Sequence, residues 1–181
     1  MKEHYYLISQ LPDLSAASEK AALPITESYY RDVCSRFLDK AQAAVLDSLS
    51  LEPPKTKTAT GSAFLDDWYE QERCLRYALA QVRAQKMKKD AGPVPVSCTA
   101  DVVQAARTAV GMSSPLAAEQ FLYEYRLGVL NRLQPLDSFS IDAVYAYGIR
   151  LLLVQRMRKF DKEKGSDSYH AIYDTILGET I

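Results

Sequence analysis

The chain has 181 residues, 48% of them hydrophobic and 25% charged, with a formal net charge of −1. That is enough for one domain with a substantial core, too little for two ordinary ones, and not the composition of a disordered chain. The near balance of charge leaves no whole-molecule field to draw the protein onto nucleic acid or an acidic membrane. Apolar runs such as Leu151–Val154 fall far short of the roughly 20 residues that span a bilayer, and no basic start leads into an apolar stretch. The expectation is therefore a cytoplasmic chain with no membrane insertion and no secretory leader. Three cysteines, Cys34, Cys74 and Cys98, are odd in number and widely spaced. They give no disulfide framework and suit a reducing compartment.

The composition favours helix. Alanine and leucine together number 43, against 26 for valine, isoleucine and threonine, and only seven glycines occur. The chain opens with His4–Leu11, HYYLISQL, whose short aromatic alternation predicts an extended segment laid across a helical body. Residues 12–25 read as loop. Thr26 then caps a helix whose apolar side is Tyr29, Tyr30, Val33, Cys34, Phe37 and Leu38. A short helix over Ala41–Leu49 follows. Leu51–Gly61, LEPPKTKTATG, is the clearest linker, with two prolines and no large apolar residue after Leu51.

Ser62 to Lys89 predicts the longest helix, with a heptad-like seam of Leu65, Trp68, Glu72, Leu75, Leu79, Val82 and Lys86. Acids crowd its first turns and bases its last, as the helix dipole favours. Ala91–Cys98 breaks the chain again. Thr99 starts a helix to Val110, stopped by Gly111, and Ser114-Pro115 starts another that ends before Pro135. Its expected buried side is Leu116, Phe121, Leu122, Tyr125, Val129 and Leu133. Ser138 or Ser140 caps a long helix predicted to reach Lys164, closed by Gly165. Ser166-Asp167 caps the last, with Tyr169, Ile172, Tyr173, Ile176 and Leu177 on its apolar face. The whole predicts an all-α fold, an irregular bundle of about six to seven helices behind the short N-terminal segment. It reads as a single helical domain over 1–181, with room for two lobes, 1–50 and 62–181, on either side of the 51–61 linker.

Chemistry is sparse. His4 and His170 stand at opposite ends without a carboxylate or cysteine at metal-ligand spacing, which argues against zinc. A Cys–His pair of Cys34 or Cys98 with His170 has no local support, and the cysteines read as small buried hydrophobes. No two glycines lie closer than Gly165 and Gly178, which excludes phosphate loops and dinucleotide fingerprints. Asp66, Asp67, Glu70 and Glu72 are explained by the helix start as fully as by acid–base chemistry. No cofactor and no catalytic residue are expected, and the reading is of a non-enzyme.

The most suggestive polar stretch is Arg150–Lys164, RLLLVQRMRKFDKEK, with six basic residues against Asp161 and Glu163. On a helix, Arg156, Lys159 and Glu163 share one face and Arg158 and Lys162 another. This is either a solvated face or a dock for an acidic partner helix. The twelve tyrosines leave the same choice open, because excess tyrosine suits both core edges and protein contacts. Candidate contact residues are Arg150, Arg156, Arg158, Tyr123, Tyr145 and Tyr147.

Three segments carry a resemblance. The opening YYLISQLPDLS (Tyr5–Ser15), SPLAAEQFLYEYRLGVLNRL (Ser114–Leu133) and AVYAYGIRLLLVQRMRKFDKEKGSDSYHAIYDTIL (Ala143–Leu177) resemble a small uncharacterised family encoded in bacterial V/A-type ATPase operons. That family is distantly similar to the C-type (in eukaryotes, d-type) component of the rotary ATPases, an all-helical funnel coupling the central shaft to the membrane ring. The resemblance implies a non-catalytic coupling or assembly subunit, working through contacts with stalk or ring subunits and peripheral to the membrane through them. The chain is well short of a full funnel component, which leaves room for a shortened version, self-association or a role in assembly. The alternative is a general helical adaptor unrelated to rotary motors.

Overall fold

The computed structural model describes residues 4–14, 22–90, 92, 98–160 and 162–178. Among these residues every regular element is a helix: α1 Tyr5–Ser9, α2 Glu27–Ser35, α3 Lys40–Asp47, α4 Ala63–Lys86, α5 Ala100–Gly111, α6 Pro115–Leu133, α7 Ile141–Arg158 and α8 Lys162–Gly178. Hydroxyl caps set four of these starts. Thr26, Ser62, Ser114 and Ser140 each accept a hydrogen bond from a backbone N–H in the first turn of the helix they precede. Asp39 forms a full capping box with Gln42 at the start of α3.

Two apolar clusters share α4 as their spine. The larger joins Leu7, Tyr30, Val33, Cys34, Leu46, Leu65, Trp68, Leu130, Val144, Ile149 and Leu153. It therefore draws on chain from both sides of the 51–61 segment. The smaller joins Cys74, Leu75, Ala78 and Leu79 of α4 to Val102, Ala106 and Ala109 of α5 and Leu122 of α6. In the predicted α4 seam, Leu65, Trp68, Glu72, Leu75 and Leu79 are buried and Val82 packs at the edge of the smaller cluster. Lys86 instead reaches out to donate to the Val110 carbonyl at 3.2 Å.

The 51–61 segment lies against α4. Arg73 donates to the Pro54 carbonyl (2.9 Å), Arg76 to the Leu51 carbonyl (3.2 Å), and Thr60 gives both its N–H and its hydroxyl to Asp66. Gly61, at φ +84°, makes the turn into α4 that a side chain would oppose. A tighter requirement falls on Gly148 in α7. A Cβ there would sit 2.8 Å from both the Tyr30 hydroxyl oxygen and Leu49 Cδ1.

Three boundaries differ from the sequence reading. The N-terminal segment is a helical turn, not a strand. No neighbouring strand is there among the described residues to take its backbone groups, so they pair locally, Gln10 N–H to Leu7 O and Leu11 N–H to Ile8 O. Leu7 is then fully buried. Helix α7 ends at Arg158, short of Lys164, once Met157 has made its last buried contact. Gly165 lies inside α8 and stops nothing, because a glycine ends a helix by adopting the left-handed conformation, and Gly165 has no positive φ. Ser166-Asp167 is accordingly interior, not a cap. Most of the expected break at Ala91–Cys98 lies outside the described residues.

Candidate protein-interaction surface

The late helices separate the sequence candidates into buried and accessible groups. Tyr145 is 3% exposed, and its hydroxyl donates to the Gln42 carbonyl at 3.2 Å, tying α7 to α3. Burial pushes its pKa up to about 12. Tyr147 donates to the Pro12 carbonyl at 2.8 Å, and its ring lies 5.5 Å from that of Tyr30. Burial, then the Asp13 carboxylate, raise its pKa as well. Tyr30 itself donates to the Val144 carbonyl at 2.7 Å from the core. The Tyr30 and Tyr145 hydroxyls fasten helices to one another, and that of Tyr147 ties α7 to the chain just after α1, so Tyr145 and Tyr147 spend their polar tips on contacts within the chain.

Arg150 donates to the Asn131 side chain across α6 and α7, on the wall of a surface cleft of about 450 Å³ that Tyr147 also lines. Arg158 is half-buried near the end of α7. Arg156 bonds Glu119 of α6 at 3.1 Å, and its guanidinium lies 5.8 Å from the centre of the Phe160 ring. Tyr123, Arg156, Met157 and Phe160 line one shallow depression, which brings two of the six candidates together. The side-chain pairings expected of Lys162 and Glu163 lie outside the described residues.

Behind this face sits a buried ion network. Glu72, 3% exposed, accepts two bonds from Arg126 and one from Arg76, each at 2.9 Å. Burial works against charge on Arg126, but Glu72, and after it Glu119, outweigh it and raise the guanidinium pKa. The acids at the head of α4 do not converge. Asp66 holds Thr60, Glu70 pairs with Lys57 and Arg73, and Glu72 takes Arg76 and Arg126. Among the described residues no three His, Cys, Asp or Glu side chains gather around a metal position. Cys34 is wholly buried, and burial pushes its thiol up to about 11, while His170 is exposed on α8.

The most accessible apolar feature is α8. Its described side chains are all exposed, and it takes part in none of the substantial helix pairings of the body, which run among α2 to α7. Tyr169 (63%), Ile172 (59%), Tyr173 (49%), Ile176 (58%) and Leu177 (50%) form one face. Tyr169 and Tyr173 stack with ring centres 6.1 Å apart. The helical spacing alone predicts this apolar face, yet such a face reads the same whether its own body or another chain covers it.

No helix among the described residues is long and apolar enough to cross a membrane. Residues 108–180, from the end of α5 through α8, match the family model described as "Protein of unknown function (DUF2764)". No curated protein and no solved structure matches the chain.

Proposed function

We propose that this protein is a non-catalytic coupling or assembly subunit that works through protein–protein contacts, with α8 as its docking helix. The observation that carries the reading is the exposed apolar face of α8. Five large apolar side chains at i, i+3, i+4, i+7 and i+8, each about half exposed or more, expose on the order of 500 Å². That is a large patch for a monomer, and the spacing is the one with which an amphipathic helix enters an apolar groove. Along the apolar face, over 166–178, the helix carries Asp167 and Asp174 and no Lys or Arg, Lys162 and Lys164 lying in its first turn ahead of that face, so a groove with a basic rim complements the face itself.

The resemblance of Tyr5–Ser15, Ser114–Leu133 and Ala143–Leu177 to the operon-encoded family supports a rotary ATPase of the V/A type as the setting, with central-stalk or membrane-ring subunits as partners. The depression of Tyr123, Arg156 and Phe160 at the end of α7 offers a second, smaller contact beside the docking helix. Native mass spectrometry of the protein mixed with purified V/A-type ATPase tests this. A stoichiometric complex with defined stalk or ring subunits is the expected result. The absence of any complex would remove the rotary-motor setting and leave the adaptor reading.

A further inference from the structure

Two of the three cysteines, 24 positions apart, meet where α4 packs on α5. Cys74 is buried in the middle of α4, and half-buried Cys98 stands two residues ahead of α5. The Cys98 thiol donates to the Cys74 carbonyl oxygen at 3.5 Å. Standard backbone bond lengths then put the Cys98 sulfur within about 6 Å of the Cys74 Cα. A disulfide holds its two Cα atoms about 4.4–6.8 Å apart. The Cys98 sulfur thus already lies beside the Cys74 main chain, and closing the bond requires the two Cα atoms to stand within that range. Cys34 belongs to the other apolar cluster and is wholly buried.

We propose that Cys74 and Cys98 form a reversible dithiol–disulfide site that clasps the middle of α4 to the start of α5. The oxidant is a low-molecular-weight disulfide. The Cys98 thiolate attacks one of its sulfurs, forming a mixed disulfide and releasing one small thiolate. Cys74 loses its proton to solvent and attacks the Cys98 sulfur, releasing the second small thiolate and completing the internal bond. Two protein thiols are oxidised and one small disulfide is reduced to two thiols. Exposure fixes the order of attack: Cys98 reaches solvent, while burial, and then the neighbouring Cys98 thiol, push Cys74 up to about 11. In a reducing compartment the pair rests as thiols, and the bond forms as the small-disulfide pool rises. Once formed, it closes the 75–97 stretch and pins the smaller apolar cluster, in which Cys74, Leu75, Val102, Ala106 and Leu122 pack.

The test treats the purified full chain with oxidised glutathione at mildly alkaline pH, then counts free thiols after denaturing alkylation and maps the peptides. The count is expected to fall from three to one, with intact mass lowered by two hydrogens, a Cys74–Cys98 peptide pair, and full reversal by dithiothreitol. The oxidised form should melt at a higher temperature. The Cys98→Ser variant should fold, keep both thiols and show no mass loss. Three thiols persisting in the native chain would overturn the proposal. So would a reaction that stops at glutathionylated Cys98, or a bond that joins two chains or involves Cys34.

Discussion

Replacing Glu72 with alanine probes the buried network most sharply. Glu72 receives three charge-assisted bonds, two of them from Arg126, whose side chain is only 12% exposed. Arg76 is 40% exposed and can turn to water when the carboxylate goes. Arg126 is far less exposed, so the cost concentrates on one buried cation stripped of the carboxylate it bonds, with the field of Glu119 left beside it. Breaking a buried pair in this way costs about 3–5 kcal/mol. For a chain of this size each kcal/mol lowers Tm by roughly 2–4 °C, so Tm should fall by about 6–20 °C. Trp68 is the single tryptophan and is 1% exposed, so its fluorescence reports unfolding in urea directly. The double variant Glu72→Leu with Arg126→Met removes both charges, and it should regain most of the loss. A Glu72→Ala change that costs less than about 1 kcal/mol, or a double variant no better than the single, would refute the inference that Glu72 is the main support of Arg126.

Three further outcomes follow from the packing. Gly148→Ala should destabilise despite alanine's helix propensity, since the new Cβ meets the Tyr30 hydroxyl oxygen, which is fixed by its 2.7 Å bond to Val144. Overpacking of about 1–3 kcal/mol exceeds the gain of about 1 kcal/mol from replacing a helical glycine, and urea titration gives the sign. Stability should also fall as pH rises from 10.0 to about 12, because the unfolded chain ionises its tyrosines first while folded Tyr145 holds its proton to about 12. Tyr145→Phe should make that slope shallower in a series of melts against pH. The double change Ile172→Asp with Ile176→Asp, on an exposed face, should alter folding stability by no more than about 0.5 kcal/mol. A large drop in its Tm would show that α8 packs on the body.

Much of the fold is legible because the helices carry local signals. Thr26, Ser62, Ser114-Pro115 and Ser140 announce their helices, and the α4 seam from Leu65 to Leu79 shows its buried side by spacing alone. What escaped depends on distant partners. Leu7 becomes a core residue only because α1 is laid on the helical body, with the His4 N–H on the Phe139 carbonyl (3.1 Å) and Tyr5 stacked on Phe139. Glu72 reads as one acid among four, and only the approach of Arg126 from α6, 54 positions away, gives it a role. Tyr145 and Tyr147 are amphipathic by type, and the carbonyls of Gln42 and Pro12 place them inside. Cys74 and Cys98 are separated by a proline-rich break, so no local pattern predicts that they meet. The reverse holds for α8, whose apolar face is plain in the sequence while nothing in that spacing says what covers it.

The most direct test of the docking reading compares binding of the native chain and the Ile172→Asp, Ile176→Asp variant to immobilised V/A-type ATPase. Saturable binding by the native chain is expected, with at least tenfold weaker binding by the variant (about 1.4 kcal/mol) and equal melting temperatures for the two. Equal binding by both, or no binding by either, would contradict the docking role of α8.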